Sequence, residues 1–140
     1  MNRLLIGLAI NLLFAASAFG ADPCLRYEPE KVSLTGIITE RVFPGPPNYE
    51  NIKKGDRPET AWILHLDKPV CVVPVNPKDD IDEPESNVTD MHLIIFGSYK
   101  KYEALLGKQV VAHGSLTHSI TGHHRTRVLI EVEDITRAAP

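Results

Sequence analysis

The chain has 140 residues, with 15 Lys and Arg set against 18 Asp and Glu for a formal charge of −3. That length suits one domain rather than two, and a mildly negative chain lacks the basic surface that displaces counterions from phosphates, so nucleic-acid binding is set aside.

Residues 1–21 read as a secretory signal peptide: Arg3 precedes an apolar run from Leu4 to Ala16, and small residues follow at Ser17-Ala18 and Gly20-Ala21. Asn11 interrupts the run, which falls short of the roughly 20 apolar residues of a membrane span. The expectation is a cleaved leader helix and a single exported domain, 22–140, with no membrane span in the mature form. Its two cysteines, Cys24 and Cys71, are then expected to pair in an oxidising compartment. A lipid-modified Cys24 is the alternative, but Asp22-Pro23 is a poor match to the small or apolar residues that precede such a site.

The mature chain reads mostly as strands. Val32 to Phe43 is a β-rich run, and Gly36 inside it suits a bulge or a sharp coil around a small barrel. Pro44, Pro46 and Pro47 then exclude helix and central strand, and a loop is expected to Glu59. Thr60 to Leu66 is the second strand, Asp67-Lys68-Pro69 a turn, and Val70 to Val73 a return to extended structure. Pro74 to Thr89 is polar and acidic, without the ligand spacing or central glycine of a calcium loop, and its Asn87-Val88-Thr89 sequon is read as ordinary polar loop. Asp90 to Phe96 is the third strand. Ser98 to Leu106 predicts the one mature helix, capped by Ser98, with Tyr99, Tyr102, Leu105 and Leu106 on one face and Gly107 as its stop. Lys108 to His118, with Gly114 inside, and Arg125 to Ile135 complete the set. In the last strand Val128, Ile130 and Val132 are expected on one side, and Arg127, Leu129, Glu131 and Glu133 on the other.

Three strands, a short helix and two more strands is the succession of an OB-fold-like five-stranded barrel; an irregular β-sandwich is the alternative. In such a barrel the first-to-second and fourth-to-fifth connections flank the binding face. Here they are Pro44–Glu59 and about Ser119–Arg125, so the candidate contact residues are Asn48, Tyr49, Glu50, His123, His124 and Arg125. Tyr49 is the expected anchor, and prolines fixed in advance reduce the freedom lost on docking.

The function expected is a binding module in the periplasm or outside the cell, contacting an envelope protein or a glycan, with no cofactor. A metal-binding protein using the histidine turn is the second reading. Its ligands would come from His118, His123 and His124, with His113 also on the preceding strand. Adjacent His123 and His124 point to opposite faces of an extended segment, which argues against that site. A structural domain with no small-molecule site is the third reading. Enzyme activity has little support: there is no nucleophile elbow or phosphate-cradling glycine loop, and only Glu50 opposite His123 offers an acid–base pair. Trp62, Phe96, Tyr99 and Tyr102 are read as core rather than cleft.

The string Phe43-Pro44-Gly45-Pro46-Pro47-Asn48-Tyr49-Glu50, then Gly55-Asp56, Pro58-Glu59 and Trp62, and Leu105-Leu106-Gly107-Lys108 ahead of Thr121-Gly122-His123-His124, resemble a family of exported bacterial domains of unknown function. The resemblance spans nearly all of the exported chain and implies a class and a compartment, with no activity. The family pattern often has a third histidine where this chain has Arg125 before Thr126, so the resemblance brings no metal site with it.

Overall fold

The structure, a computed structural model, describes residues 23–78 and 81–139, and the expected leader helix lies outside them. Six strands make one sheet: β1 (Leu25–Arg26), β2 (Lys31–Pro44), β3 (Pro58–Val73), β4 (Glu85–Ile95), β5 (Gln109–His118) and β6 (Val128–Arg137). β2 pairs antiparallel with β3 and with β5, β3 with β4, and β5 with β6. A parallel β4–β6 pair closes the ring. From β2 onward this is the five-stranded closed barrel expected of an OB-like chain. β1 was not expected; it adds in parallel to the end of β3.

Two glycines permit the closure. Gly36 faces both Leu66 of β3 and Val110 of β5, and a Cβ there would lie 2.2 Å from the His65 carbonyl oxygen. Gly114 sits at a register shift between β5 and β6, where a Cβ would lie 2.0 Å from the Glu131 oxygen. Both are places where strands approach too closely for a side chain.

The barrel core is filled by alternate residues such as Leu34, Ile38, Leu64, Met91, Leu93, Val110, Leu116 and Ile130. Tyr27 is fully buried among them, just past β1, and the Cys24–Cys71 disulfide (Cα–Cα 4.7 Å) ties that segment to β3. At another point of the barrel, the segment Tyr99–Leu105 covers Trp62 and buries its own Tyr102.

Several expectations need correction. Tyr99–Leu105 is a 3-10 helix, and Ser98 makes no side-chain cap bond. Its aromatic positions recur every three residues, which suits three residues per turn at least as well as 3.6. Tyr99 is partly exposed, standing edge-on to Trp62 at 5.2 Å, and Phe96 is mostly exposed because it follows the inward Ile95. Asp67-Lys68-Pro69 makes no turn. β3 runs straight through, and the irregularity falls in its pairing with β4, where Pro69 needs no ladder donor. The sequon lies inside β4, with Asn87 at φ 53, rather than in a loop. β6 begins at Val128, and Leu129, on the opposite side from Val128, Ile130 and Val132 as expected, is nevertheless fully buried. Its cross-strand neighbour is His92, which in turn pairs with Ile63. The three form a buried row on the outer face of the barrel, where residues 119–127 return over the sheet.

Candidate functional site

The proline-rich connection is organised by one carboxylate. Its base extends the β2–β3 ladder: Gly45 donates to the Arg57 carbonyl (2.7 Å) and Arg57 to the Pro46 carbonyl (2.9 Å). The backbone amides at the tip have no ladder partner and turn inward to Asp56. This buried side chain accepts the N–H groups of Asn48 (2.9 Å), Glu50 (2.7 Å) and Asn51 (2.7 Å), plus the Asn48 side-chain amide (3.2 Å). These bonds, that from Asn51 foremost, outweigh burial and hold the Asp56 carboxyl below its ordinary range. Asn51 also caps the 3-10 turn Ile52–Lys54 through its side chain. Tyr49 is thereby held in the left-handed region at φ 60.

The histidine connection is pinned from the other side. His92 of β4 receives the Arg125 N–H on Nδ1 (3.3 Å), and its own N–H donates to the Thr126 hydroxyl (2.7 Å), which donates to the Val128 carbonyl (2.6 Å). This use of the backbone at 125–127 is why β6 starts late. Burial, with the charges of His124 and Arg125 adding to it, pushes His92 from its ordinary value of 6.5 down to about 4. His124 accepts the Ile120 N–H on Nδ1 (3.1 Å), and it too is pushed down, by burial and then by His123.

Glu59, at the start of β3, joins the two connections. It accepts from the Arg125 guanidinium and from His123 Nδ1 (3.0 Å). His123 Nε2 then accepts the Tyr49 hydroxyl (3.0 Å), and the two rings meet edge to face at 5.2 Å. Arg125 further donates to the carbonyls of Pro44 and Gly122 (3.0 Å each) and lies over the rings of Phe43 (5.6 Å) and Tyr49 (5.9 Å). Gly122 fits because a Cβ there would press on the Tyr49 ring at 3.1 Å. Two segments more than sixty residues apart are thus bonded into one rim.

The six expected contact residues therefore sit together but divide in character. Arg125 is 6% exposed and Tyr49 half-buried, both engaged within the rim. Asn48 and Glu50 are exposed, and the His123 side chain is 60% exposed. His124 is half-buried and, within the turn, bonds the Ile120 N–H rather than the partners of His123. Glu50 does not face His123, whose acidic partner is Glu59. His113 bonds Ser33, and His118 lies with Glu83 and Glu85 rather than with the paired histidines. Glu59 and Asp56, which the sequence offered only as part of the resemblance, and His92 were not among the expected site residues, nor was a neighbouring outer-face cluster in which Asp90 takes a forked bond from Arg41 (2.9 and 3.3 Å) and one from His65 (2.7 Å). Burial disfavours the Asp90 charge, but the bonds and charges of Arg41 and His65 prevail and hold its carboxyl below the usual range. An apolar recess of about 690 Å³ beside the disulfide, lined among others by Leu25, Leu34 and Val70, involves neither connection.

Residues 90–136, from the middle of β4 into the end of β6, match a domain of unknown function, DUF4431. No curated protein matches the chain. Among the described residues no helix is long and apolar enough to cross a membrane, and the disulfide is compatible with an oxidising compartment.

Proposed function

We propose that this protein is an exported binding module of the bacterial periplasm that recognises an envelope protein or a glycan through the rim formed by 44–59 and 119–125. One observation carries the reading: the two connections that flank the binding face of an OB-like barrel are fixed to each other through Glu59, Arg125, His123 and Tyr49. A surface locked before docking loses little conformational freedom when it docks. Tyr49, Arg125 and His123 set the shape, His123 with one exposed ring face, and the exposed Asn48 and Glu50 meet the partner together with Ile120, which is 69% exposed at the edge of the turn. The leader-like N-terminus and the disulfide support the compartment.

The low exposure of Arg125 also favours a second reading, in which the brace only closes the barrel mouth. Capture from envelope extract separates the two. Glu50→Arg and Ile120→Ser change exposed side chains and leave the brace intact. Binding predicts that a specific partner is retained by the native protein and lost by these variants, with melting unchanged. A partner retained equally by all three, or none at all, contradicts it.

A further inference from the structure

A second group of side chains lies outside the rim, where the end of β5 meets the start of β4. Glu83, Glu85 and His118 each present a ligand-type atom, all within 4.8 Å of one another. Backbone pairing sets the positions: Glu85 opens β4 opposite Val72, and His118 closes β5 opposite Val128. The His118 and Glu85 side chains are only 14% and 11% exposed, while Glu83 reaches in from the surface.

The imidazole has one partner too many. Its Nδ1 faces the Ser119 carbonyl oxygen at 3.2 Å, and its Nε2 faces a Glu85 carboxylate oxygen at 3.2 Å. Both partners are acceptors, and a neutral ring has a single N–H. With Nδ1–H donating to the carbonyl, the Nε2 lone pair points at an anion, and a proton or a cation must stand between them. An imidazole whose far nitrogen is held by a backbone carbonyl is the usual arrangement of a metal-bound histidine. Tyr27 closes one side of the group, its ring edge-on to His118 at 6.0 Å. Of the neighbouring guanidinium groups, the largely exposed Arg127 reaches Glu85 at 3.5 Å, and Arg26 lines a recess with Asp82 and Glu83.

We propose that Glu83, Glu85 and His118 bind a divalent cation of the zinc class, with Nε2 of the imidazole and one oxygen from each carboxylate as ligands and solvent completing the shell. Zinc takes nitrogen and carboxylate ligands at about 2.0–2.2 Å, which places tetrahedral ligands about 3.4 Å apart. The widest pair here needs to close by a little over ~1 Å from its 4.8 Å limit, within the swing of the exposed Glu83 side chain. A bound cation would fasten the acidic segment before β4 to the barrel wall. The site shares no ligand with the rim and stands or falls separately from it.

Calorimetry of the naturally processed protein, stripped with a chelator and titrated with zinc chloride, tests the site. The expected result is one saturable equivalent, weakened at least tenfold by His118→Gln and by Glu83→Gln, and within twofold of native in a His123→Gln/His124→Gln variant. Glu83→Gln keeps the fold, because it is the backbone carbonyl of Glu83, not the side chain, that accepts the Tyr27 hydroxyl (2.9 Å). No saturable zinc binding, binding that survives both substitutions, or binding lost only with His123 and His124 overturns the proposal. Calcium bound as tightly as zinc overturns the assignment of class.

Discussion

Replacing Arg125 tests the brace at its centre. Arg125→Met keeps most of the apolar stem over Phe43 and Tyr49 and removes the donors to Glu59, Pro44 and Gly122. A hydrogen bond to a charged group contributes about 1.5–3 kcal/mol net, and removing one member of a buried ion pair costs about 3–5 kcal/mol. Glu59 stays partly solvated and keeps its bond from His123, so the lower end applies, and the expected loss is about 3 kcal/mol. For a domain of this size that corresponds to a fall of roughly 10 °C in Tm. Glu59→Gln keeps an acceptor for both partners and should cost about 1 kcal/mol. In a double-mutant cycle read by denaturant unfolding, the two changes should couple by at least about 1 kcal/mol. An Arg125→Met protein that melts within about 2 °C of the native one, or strictly additive losses, would refute the interlock.

Acid should loosen the same region before the carboxylates respond. His92 is neutral in the fold down to about pH 4, whereas the unfolded chain takes up the proton near 6.5, so stability falls as pH drops through that window and levels off below it. At about 1.4 kcal/mol per pH unit the ceiling is ~3 kcal/mol, and with partial solvation of the ring the expected loss is on the order of 2 kcal/mol. Chemical denaturation of native and His92→Asn proteins across pH 4–7 should show this slope in the native protein and a flatter one in the variant. Asp56 and Asp90, whose carboxyls are held below the usual range, contribute stability present above the ordinary carboxylate pKa of 3.8 and lost only as pH falls through their lowered values. Their replacement by Asn should therefore leave the slope above pH 4 unchanged. Opening the Cys24–Cys71 bridge by a double Ser substitution frees the segment that seats Tyr27, and a 47-residue separation sets the loop-closure loss near ~4 kcal/mol. Guanidinium unfolding should show it as a lower midpoint, and an unchanged midpoint would mean that Tyr27 alone holds the segment.

Much of the barrel was legible because local chemistry and tertiary need coincide. Gly36 and Gly114 interrupt otherwise β-rich runs, and both mark backbones in close approach. The prolines after Phe43 bound a connection wherever the strands go. What stayed illegible depends on pairing. Glu59 looks like any surface acid until the Pro44↔Pro58 register carries it beside Phe43 and under Arg125. His92 reads as a strand residue, and only the return of 119–127 across the outer face makes it a buried acceptor and buries the outer-face Leu129 beside it. The 3-10 segment misled for a simpler reason: Tyr99, Tyr102 and Leu105 fit both helical periods, and seven residues are too few to separate them. His123 and His124 sit in a turn rather than on an extended segment, so neither their disposition nor the partner of His123 could be read without the fold.

Site-specific photo-crosslinking in living cells is the most direct test of recognition by the rim. A photoreactive residue at position 50 or 120 should give a discrete adduct with one envelope component, while the same residue at Lys100, on the 3-10 segment, should give none. Adducts formed at position 100 and absent at 50 and 120 would move the working surface elsewhere on the barrel and contradict the account.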